Sequence, residues 1–242
     1  NPLRRAVLRA DARKAAALER RLVYYSDLVT AISPNDQELY AERRGGRPVV
    51  VLTPGYRGRR VEQRAITEDV PRRVVMVGSF EWGAKKANLS DFVHAAAPVL
   101  QRSGVELSVV GKGGKFIDAL KQDFSGVEFT GRVDDIYQYL DRARIAVVPE
   151  RLGGGFKLKA LDYVFNRLPI AALDDAFAGM PLINRESVLS YPDLRGLAHG
   201  LVSAIDDLPM LNRLQQRAYD SCSDQFEWSS RGRTLFETAE AL

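Results

Sequence analysis

The 242-residue chain has one cysteine, Cys222, and only two histidines, His94 and His199. A single thiol excludes an internal disulfide framework and fits a reducing compartment, so a cytoplasmic location is expected. So few cysteines and histidines make no cluster with metal-ligand spacing, and no metal is expected. Long apolar runs are also missing. No stretch reaches the roughly 18 apolar residues that a membrane-spanning helix needs. The basic N-terminus has no apolar core behind it, which excludes a secretory signal peptide. The run RGRR at 57–60 lacks interleaved aromatics, so nucleic acid is not an expected partner, and the run is expected to be exposed linker. The chain begins with Asn rather than Met, and the expectation is a processed chain or a piece of something longer.

The content that is present is that of a globular domain, with 45% hydrophobic and 27% charged residues. Net charge is +4, and its placement matters more than its size. Residues 1–24 carry seven basic side chains (Arg4, Arg5, Arg9, Arg13, Lys14, Arg20, Arg21) against Asp11 and Glu19. The remainder is therefore near neutral. A basic helix of this kind suits an anionic membrane surface, which would place the protein peripherally on the inner face of the plasma membrane. The plainer alternative is a solvated helix face with pairs four residues apart.

Residues 3–25 lack Gly and Pro and read as a helix. A short strand at 27–33, a helix from Asn35 to Arg44 and a strand at 48–53 follow. Residues 54–72 have no clear period and read as linker. From Arg73 the pattern changes to strands alternating with helices: VVMVG, a helix at 88–102, ELSVVG, a helix at 115–122, VEFTG, a helix at 134–144, IAVVP, a helix after the glycines, and PIAAL. Short, continuous apolar strands of this kind are buried on both faces. Their alternation with helices implies right-handed crossovers and a doubly wound, Rossmann-like parallel α/β sheet. Ligands of such sheets bind beyond the carboxyl ends of the strands, where Gly78, Gly111, Gly131 and Gly153–Gly155 fall. The last part reads as two helices broken near 223–230. Three regions are expected: 1–72, 73–225, and a closing helix at 226–242.

The glycine run stands between IAVVP and a helix. Consecutive glycines are costly to order, so something must approach that backbone closely or the turn must be very tight. A glycine turn feeding a helix presents free N–H groups and partial positive charge, which suits phosphate. Lys157 and Lys159 add charge just beyond. Asp162, one turn after Lys159, could accept the two hydroxyls of a ribose. Phosphate with ribose means a nucleotide. The loop fits neither GxGxxG nor GxxxxGK[ST], and glycines that only serve packing are the alternative.

The stretch PERLGGGFKLKALDYVFNRLPIAAL resembles the nucleotide-sugar site of glycosyltransferase family 4, of the GT-B fold. Pro149, Arg151, Gly153–Gly155, Leu158, Lys159, Leu161 and Pro169 carry the resemblance, and Asp162 stands where the family usually has Glu. VVMVGSFEW, ELSVVGKGGK and VEFTGRVDDIYQYLDRARIAVVP resemble successive segments of the family's C-terminal domain. SDLVTAISPNDQEL resembles the last unit of its N-terminal domain, and FEWSSRGRTL its closing helix. The resemblance implies the C-terminal half of a GT-B architecture with a partial N-terminal remnant. It implies a retaining sugar transfer from a nucleotide-diphosphate sugar to a saccharide or lipid-linked acceptor, in exopolysaccharide or cell-envelope glycan synthesis. No cofactor is implied, since the nucleotide sugar is the donor substrate.

By position, the resemblance puts Lys85 and Lys159 on the donor diphosphate as catalytic cations. It puts Gly153, Gly154 and Gly155 on the phosphate or sugar, Asp162 on the ribose, and Arg132 and Val133 at the base. Three departures stand out. Ser79 replaces an Arg frequent in the family, with Lys86 as a candidate substitute. Gly154 stands where many members have a Glu. The second full domain, with the acceptor site, is missing. A non-catalytic nucleotide-sugar-binding module or partner subunit is the alternative, with a sugar-nucleotide epimerase behind it. Glu150 is expected to stand beside the site without a role, Trp82 and Trp228 to be packing residues, and Lys112 and Lys115 to be solvated.

Overall fold

The computed structural model describes every residue except Asn1, Gly46, Gly153, Gly154 and Leu242. The chain divides into two compact units: Asn1–Gly55 with Glu227–Leu242, and Tyr56–Phe226.

The first unit opens with α1 (Pro2–Tyr25), whose alanines, leucines and arginines are strong helix formers. Val23 is its one buried residue among those described, and Leu3, Val7, Leu8, Leu18 and Leu22 are each more than half exposed. β1 (Val29–Ala31) pairs in parallel with β2 (Val49–Val51), Val29 opposite Val49. Between them lies α2 (Pro34–Arg43), capped by Ser33, whose hydroxyl accepts from the Asp36 amide at 3.2 Å. Arg44 is buried just beyond α2. Its guanidinium donates to the carbonyls of Val23 (3.0 Å), Ser26 (2.8 Å) and Asp27 (3.0 Å), which closes the C-terminal end of α1.

The second unit holds a six-stranded sheet. Its strands are β3 (Arg73–Val77), β4 (Glu106–Val110), β5 (Val127–Gly131), β6 (Ile145–Val148), β7 (Ile170–Leu173) and β8 (Leu189–Tyr191). The order is β5-β4-β3-β6-β7-β8, and every pairing is parallel. The helices are α3 (Gly83–Arg102), α4 (Lys115–Asp123), α5 (Tyr137–Asp141), α6 (Leu158–Phe165), α7 (Leu194–Ala204) and α8 (Leu208–Cys222). Alternate strand residues enter opposite cores, as a period of two requires. Val74, Met76, Ile145, Val147, Ala171 and Leu173 pack with α3, α4 and α7. Val75, Ala146, Val148, Ile170 and Ala172 pack with α6 and Phe226. The strands are thus buried on both faces, as their unbroken apolar runs require. Cys222 lies in the second core, and burial pushes its thiol up to about 12.

After α8 the chain passes to α9 (Trp228–Glu240), which belongs to the first unit. Within that unit, the Trp228 indole lies against Gly55, where a Cβ would come within 2.6 Å of the ring. Arg231 donates to the Thr53 carbonyl (3.0 Å) and hydroxyl (2.7 Å).

The structure corrects the sequence reading in four places. A sixth strand, β8, extends the expected five. α3 starts at Gly83 rather than at 88, because AKKAN continues the helix back to Trp82, whose carbonyl accepts from the Lys86 amide at 2.9 Å. α5 is one short helix rather than eleven residues. Residues 56–72 contain neither helix nor strand, yet they are not free linker. Ile66 is buried, and the Arg64 guanidinium donates to the carbonyls of Leu140, Asp141, Ala143 and Asn166. The RGRR run is likewise engaged. Arg59 forms a two-pronged pair with Asp141, and Arg60 lies 3.8 Å from the Phe165 ring centroid. A segment without its own backbone ladder is held here by arginines, which carry several donors each.

Candidate functional site

β3 and β6 are neighbours, and the direction of winding reverses between them. The loops leaving their carboxyl ends therefore part, and a crevice opens there. It encloses about 350 Å³, with Trp82 and Lys85 on one wall and Glu150, Phe156, Lys157 and Lys159 on the other. The strand ends beside it pack tightly. At Gly111 (φ +135°) a Cβ would lie 1.8 Å from the Gly78 carbonyl oxygen.

Two helices begin at this crevice, and both begin in the same way. α3 has no side-chain cap and no acid in its first turn, and its third residue is Lys85. α6 has no side-chain cap and no acid in its first turn, and its second residue is Lys159. Ser33, Asp193 and Asp207 cap α2, α7 and α8, while α4, α5 and α9 also start without a side-chain cap, so it is the lysines of α3 and α6 at one crevice that set these two ends apart. Lysine at the positive end of a helix opposes the macrodipole. Two such ends lining one crevice make a place for an anion.

Lys159 is nearly buried, with 15% of its side chain exposed, and its ammonium donates to Glu150, 8% exposed. Burial lowers the Lys159 pKa. Glu150 opposes that shift, and the neighbouring charges of Lys85 and Lys157 add to it. The other Glu150 oxygen, Oε2, is buried with no hydrogen-bond partner among the described residues. Asn88 of α3 braces the entry to the glycine turn. Its Oδ1 accepts from the amides of Arg151 (3.2 Å) and Leu152 (3.0 Å), and its amide donates to the Leu152 carbonyl (2.8 Å). The buried Tyr163 hydroxyl accepts from the Val77 amide at 2.8 Å and so fixes the end of β3.

The sequence-predicted residues fall in four places. Lys85 and Lys159 meet at the crevice. Gly155 has φ +81°, a conformation that favours glycine, while Gly153 and Gly154 lie outside the described residues. Asp162 does not line the crevice among the described residues. Its carboxylate accepts from the Tyr56 hydroxyl at 2.9 Å, and burial raises its pKa against the lowering effect of that bond. Arg132, exposed, and Val133, half-buried, directly follow β5, two strands from β3. Lys86 points elsewhere, toward the Phe116 ring at 5.9 Å.

Sequence reasoning missed Asn88, Tyr56 and the pairing of Glu150 with Lys159. An asparagine inside a helix, a poor place for it, was the available signal for the first. Trp82 is not a packing residue as expected. It is 75% exposed at the crevice rim, because it stands at the N-cap of α3 outside either core. Lys112 is solvated as expected and pairs at the surface with Glu81 at 2.7 Å. No helix among the described residues is long and apolar enough to cross a membrane.

An all-parallel, doubly wound sheet with a cationic crevice at its switch point defines a class of nucleotide-binding α/β proteins. Residues 71–207, more than half of the chain, match the family described as glycosyl transferases group 1, and the chain belongs to that family. No curated protein matches the sequence. Among solved structures, TarM of S. aureus aligns with a TM-score of 0.77 at 10% identity, over 93% of this chain and 45% of TarM. Sucrose-phosphate synthase from Thermosynechococcus elongatus aligns with a TM-score of 0.73 at 22% identity, over 93% of this chain and 60% of that one. HepE of Anabaena, in complex with UDP-glucose, aligns with a TM-score of 0.72 at 16% identity, over 93% and 67% respectively. These likenesses are of fold, and the fold is that of GT-B glycosyltransferases. The chain spans about half the length of TarM and 60% of the synthase.

Proposed function

We propose that the chain is the donor-binding portion of a retaining glycosyltransferase that takes a nucleotide-diphosphate sugar. The observation that carries this reading is the pair of uncapped helix ends, each with a lysine in its first turn, lining one crevice at the switch point. The UDP-glucose in the HepE complex supports the donor class. In the transfer, the bond from the anomeric carbon to the β-phosphate oxygen breaks, and its electron pair leaves with the diphosphate. Lys85, Lys159 and the two helix ends face that growing negative charge and stabilise it. The acceptor oxygen bonds to the anomeric carbon on the same face, which retains its configuration. Its proton passes to the departing phosphate. Asp162, released from Tyr56, would accept the ribose hydroxyls, and Arg132 and Val133 would border the base.

The acceptor is a glycan or lipid-linked saccharide in exopolysaccharide or cell-envelope synthesis. The basic residues and exposed leucines of α1 support peripheral attachment to the inner face of the plasma membrane, since each Lys or Arg near an anionic surface contributes about 1 kcal/mol. Sedimentation with anionic but not neutral vesicles tests that attachment.

Calorimetric titration with UDP, GDP and ADP tests the donor site. One of the three should bind saturably. Lys85→Ala, at an exposed position, should weaken it by about 1.5–3 kcal/mol without disturbing the fold. Lys159→Ala, checked by circular dichroism, should weaken it at least as much. Binding of none, or undiminished binding in both variants, would overturn the assignment.

A further inference from the structure

One buried group in the crevice has no part in holding a diphosphate. β6 ends at Val148, Pro149 follows without an amide hydrogen, and Glu150 is the next residue, at the carboxyl end of a central strand. Oε1 of Glu150 accepts from Lys159, while Oε2 is buried and unpartnered among the described residues. Buried carboxylate oxygens are costly to leave unbonded, and the few that persist call for an explanation. Glu150 is one of the residues that line the crevice, so a small adjustment of its side chain would bring the unsatisfied oxygen to an occupant.

The chemistry of an occupant follows from this oxygen. As part of a carboxylate paired with the Lys159 ammonium, it accepts a hydrogen bond and offers none. A diphosphate at neutral pH has no proton to donate and is repelled by a second anion. The occupant must therefore carry a hydroxyl or amide N–H next to its anionic group. Asn88, which also lines the crevice, is already committed by three bonds to the loop. We infer that Glu150 Oε2 accepts a hydroxyl or amide hydrogen of the donor's sugar, and that Glu150 thereby selects the intact nucleotide sugar over the bare nucleotide. This rests on the donor-site reading above. The same carboxylate disfavours the nucleoside diphosphate once its sugar has gone, which promotes product release.

Calorimetry on the full chain tests this, with UDP, GDP and ADP beside UDP-glucose, GDP-mannose and ADP-glucose. In the wild type one conjugate should bind about tenfold tighter than its own nucleotide, the discrimination expected when a buried acceptor is left unpaired by the smaller ligand. In Glu150→Gln that preference should fall toward unity, while the bare nucleotide binds equally or more tightly. A monodeoxy series of the preferred conjugate, on wild-type protein, gives a second measurement that needs no variant. One member should lose the increment. Four results overturn the inference: no conjugate preferred in the wild type, a preference unchanged in Glu150→Gln, no monodeoxy member losing the increment, or equal weakening of nucleotide and conjugate. The last would mean that Glu150 only positions Lys159. Failure of all three bare nucleotides would instead remove the donor-site reading itself, and the inference with it.

Discussion

Lys159 and Asp162 stand one turn apart on α6, and the structure treats them differently. Lys159 is nearly buried at the crevice against an opposite charge, and burial still lowers its pKa. Asp162 turns from the crevice to a neutral phenol, and burial raises its pKa. The two shifts share a cause, since burial disfavours whichever form is charged. What differs is the remedy. Asp162 can take up a proton and be neutral, and Tyr56 can still bond it. Lys159 has a counter-charge instead, and each member of that pair depends on the other. Under the proposed donor site, Lys159 would face the anion and Asp162 the ribose hydroxyls.

The largest effect should come from breaking the pair. Lys159→Ala leaves Glu150 buried and uncompensated and should destabilise the second unit by about 3–5 kcal/mol in urea unfolding. The double change with Glu150→Gln should recover most of it. A single-variant cost below about 1 kcal/mol would mean that the pair does not constrain the fold. Next in size is Asn88→Ala, which strips two amides and one carbonyl of their partner and should cost about 1–3 kcal/mol. Nucleotide affinity should fall with it, because the braced loop leads into the glycine turn. Unchanged affinity would show that the turn holds itself.

A pH titration sharpens the contrast further. Anion binding needs charged Lys159, so affinity should fall as pH rises, beginning below the 10.5 of an ordinary lysine. Stability should move the opposite way. Between the lowered pKa and 10.5 the unfolded chain binds more protons than the folded one, so unfolding free energy rises with pH across that window. Both slopes should flatten in Lys159→Ala. The smallest effect belongs to Asp162→Asn. A raised carboxyl pKa means that the ionised form is penalised at neutral pH, so the amide should stabilise by no more than about 1 kcal/mol. That gain should vanish as pH falls below 3.8, where the carboxyl is protonated folded or unfolded. Nucleotide binding should weaken in the same variant, and wild-type affinity would remove the ribose role.

Much of the fold was legible because its signals are local. Runs such as VVMV, IAVV and IAAL announce strands buried on both faces, and the helices between them fix the parallel winding and hence the crevice. β8 was not legible, since three residues, one buried and two half-buried, carry no period. Residues 56–72 were misread for a related reason. Arginine looks solvent-bound in sequence, but the groups that Arg59 and Arg64 satisfy lie 76 or more residues away. That Lys85 and Lys159 line one crevice was legible from the motif, whereas the bracing by Asn88 and the pairing of Glu150 with Lys159 were not.

The sequence by itself determined the doubly wound sheet, the edge at which its loops open a crevice, and the lysines that line it. These follow from periodicity and from glycines whose conformations other residues rarely adopt. Only the tertiary structure decided which charge meets which. Asp162 finds Tyr56 across 106 residues of chain, and Lys159 reaches back nine residues to Glu150 across the glycine turn. Helical spacing says that two side chains share a face. What each one meets there depends on the segments that fold over it, and those are placed by the packing of the whole domain.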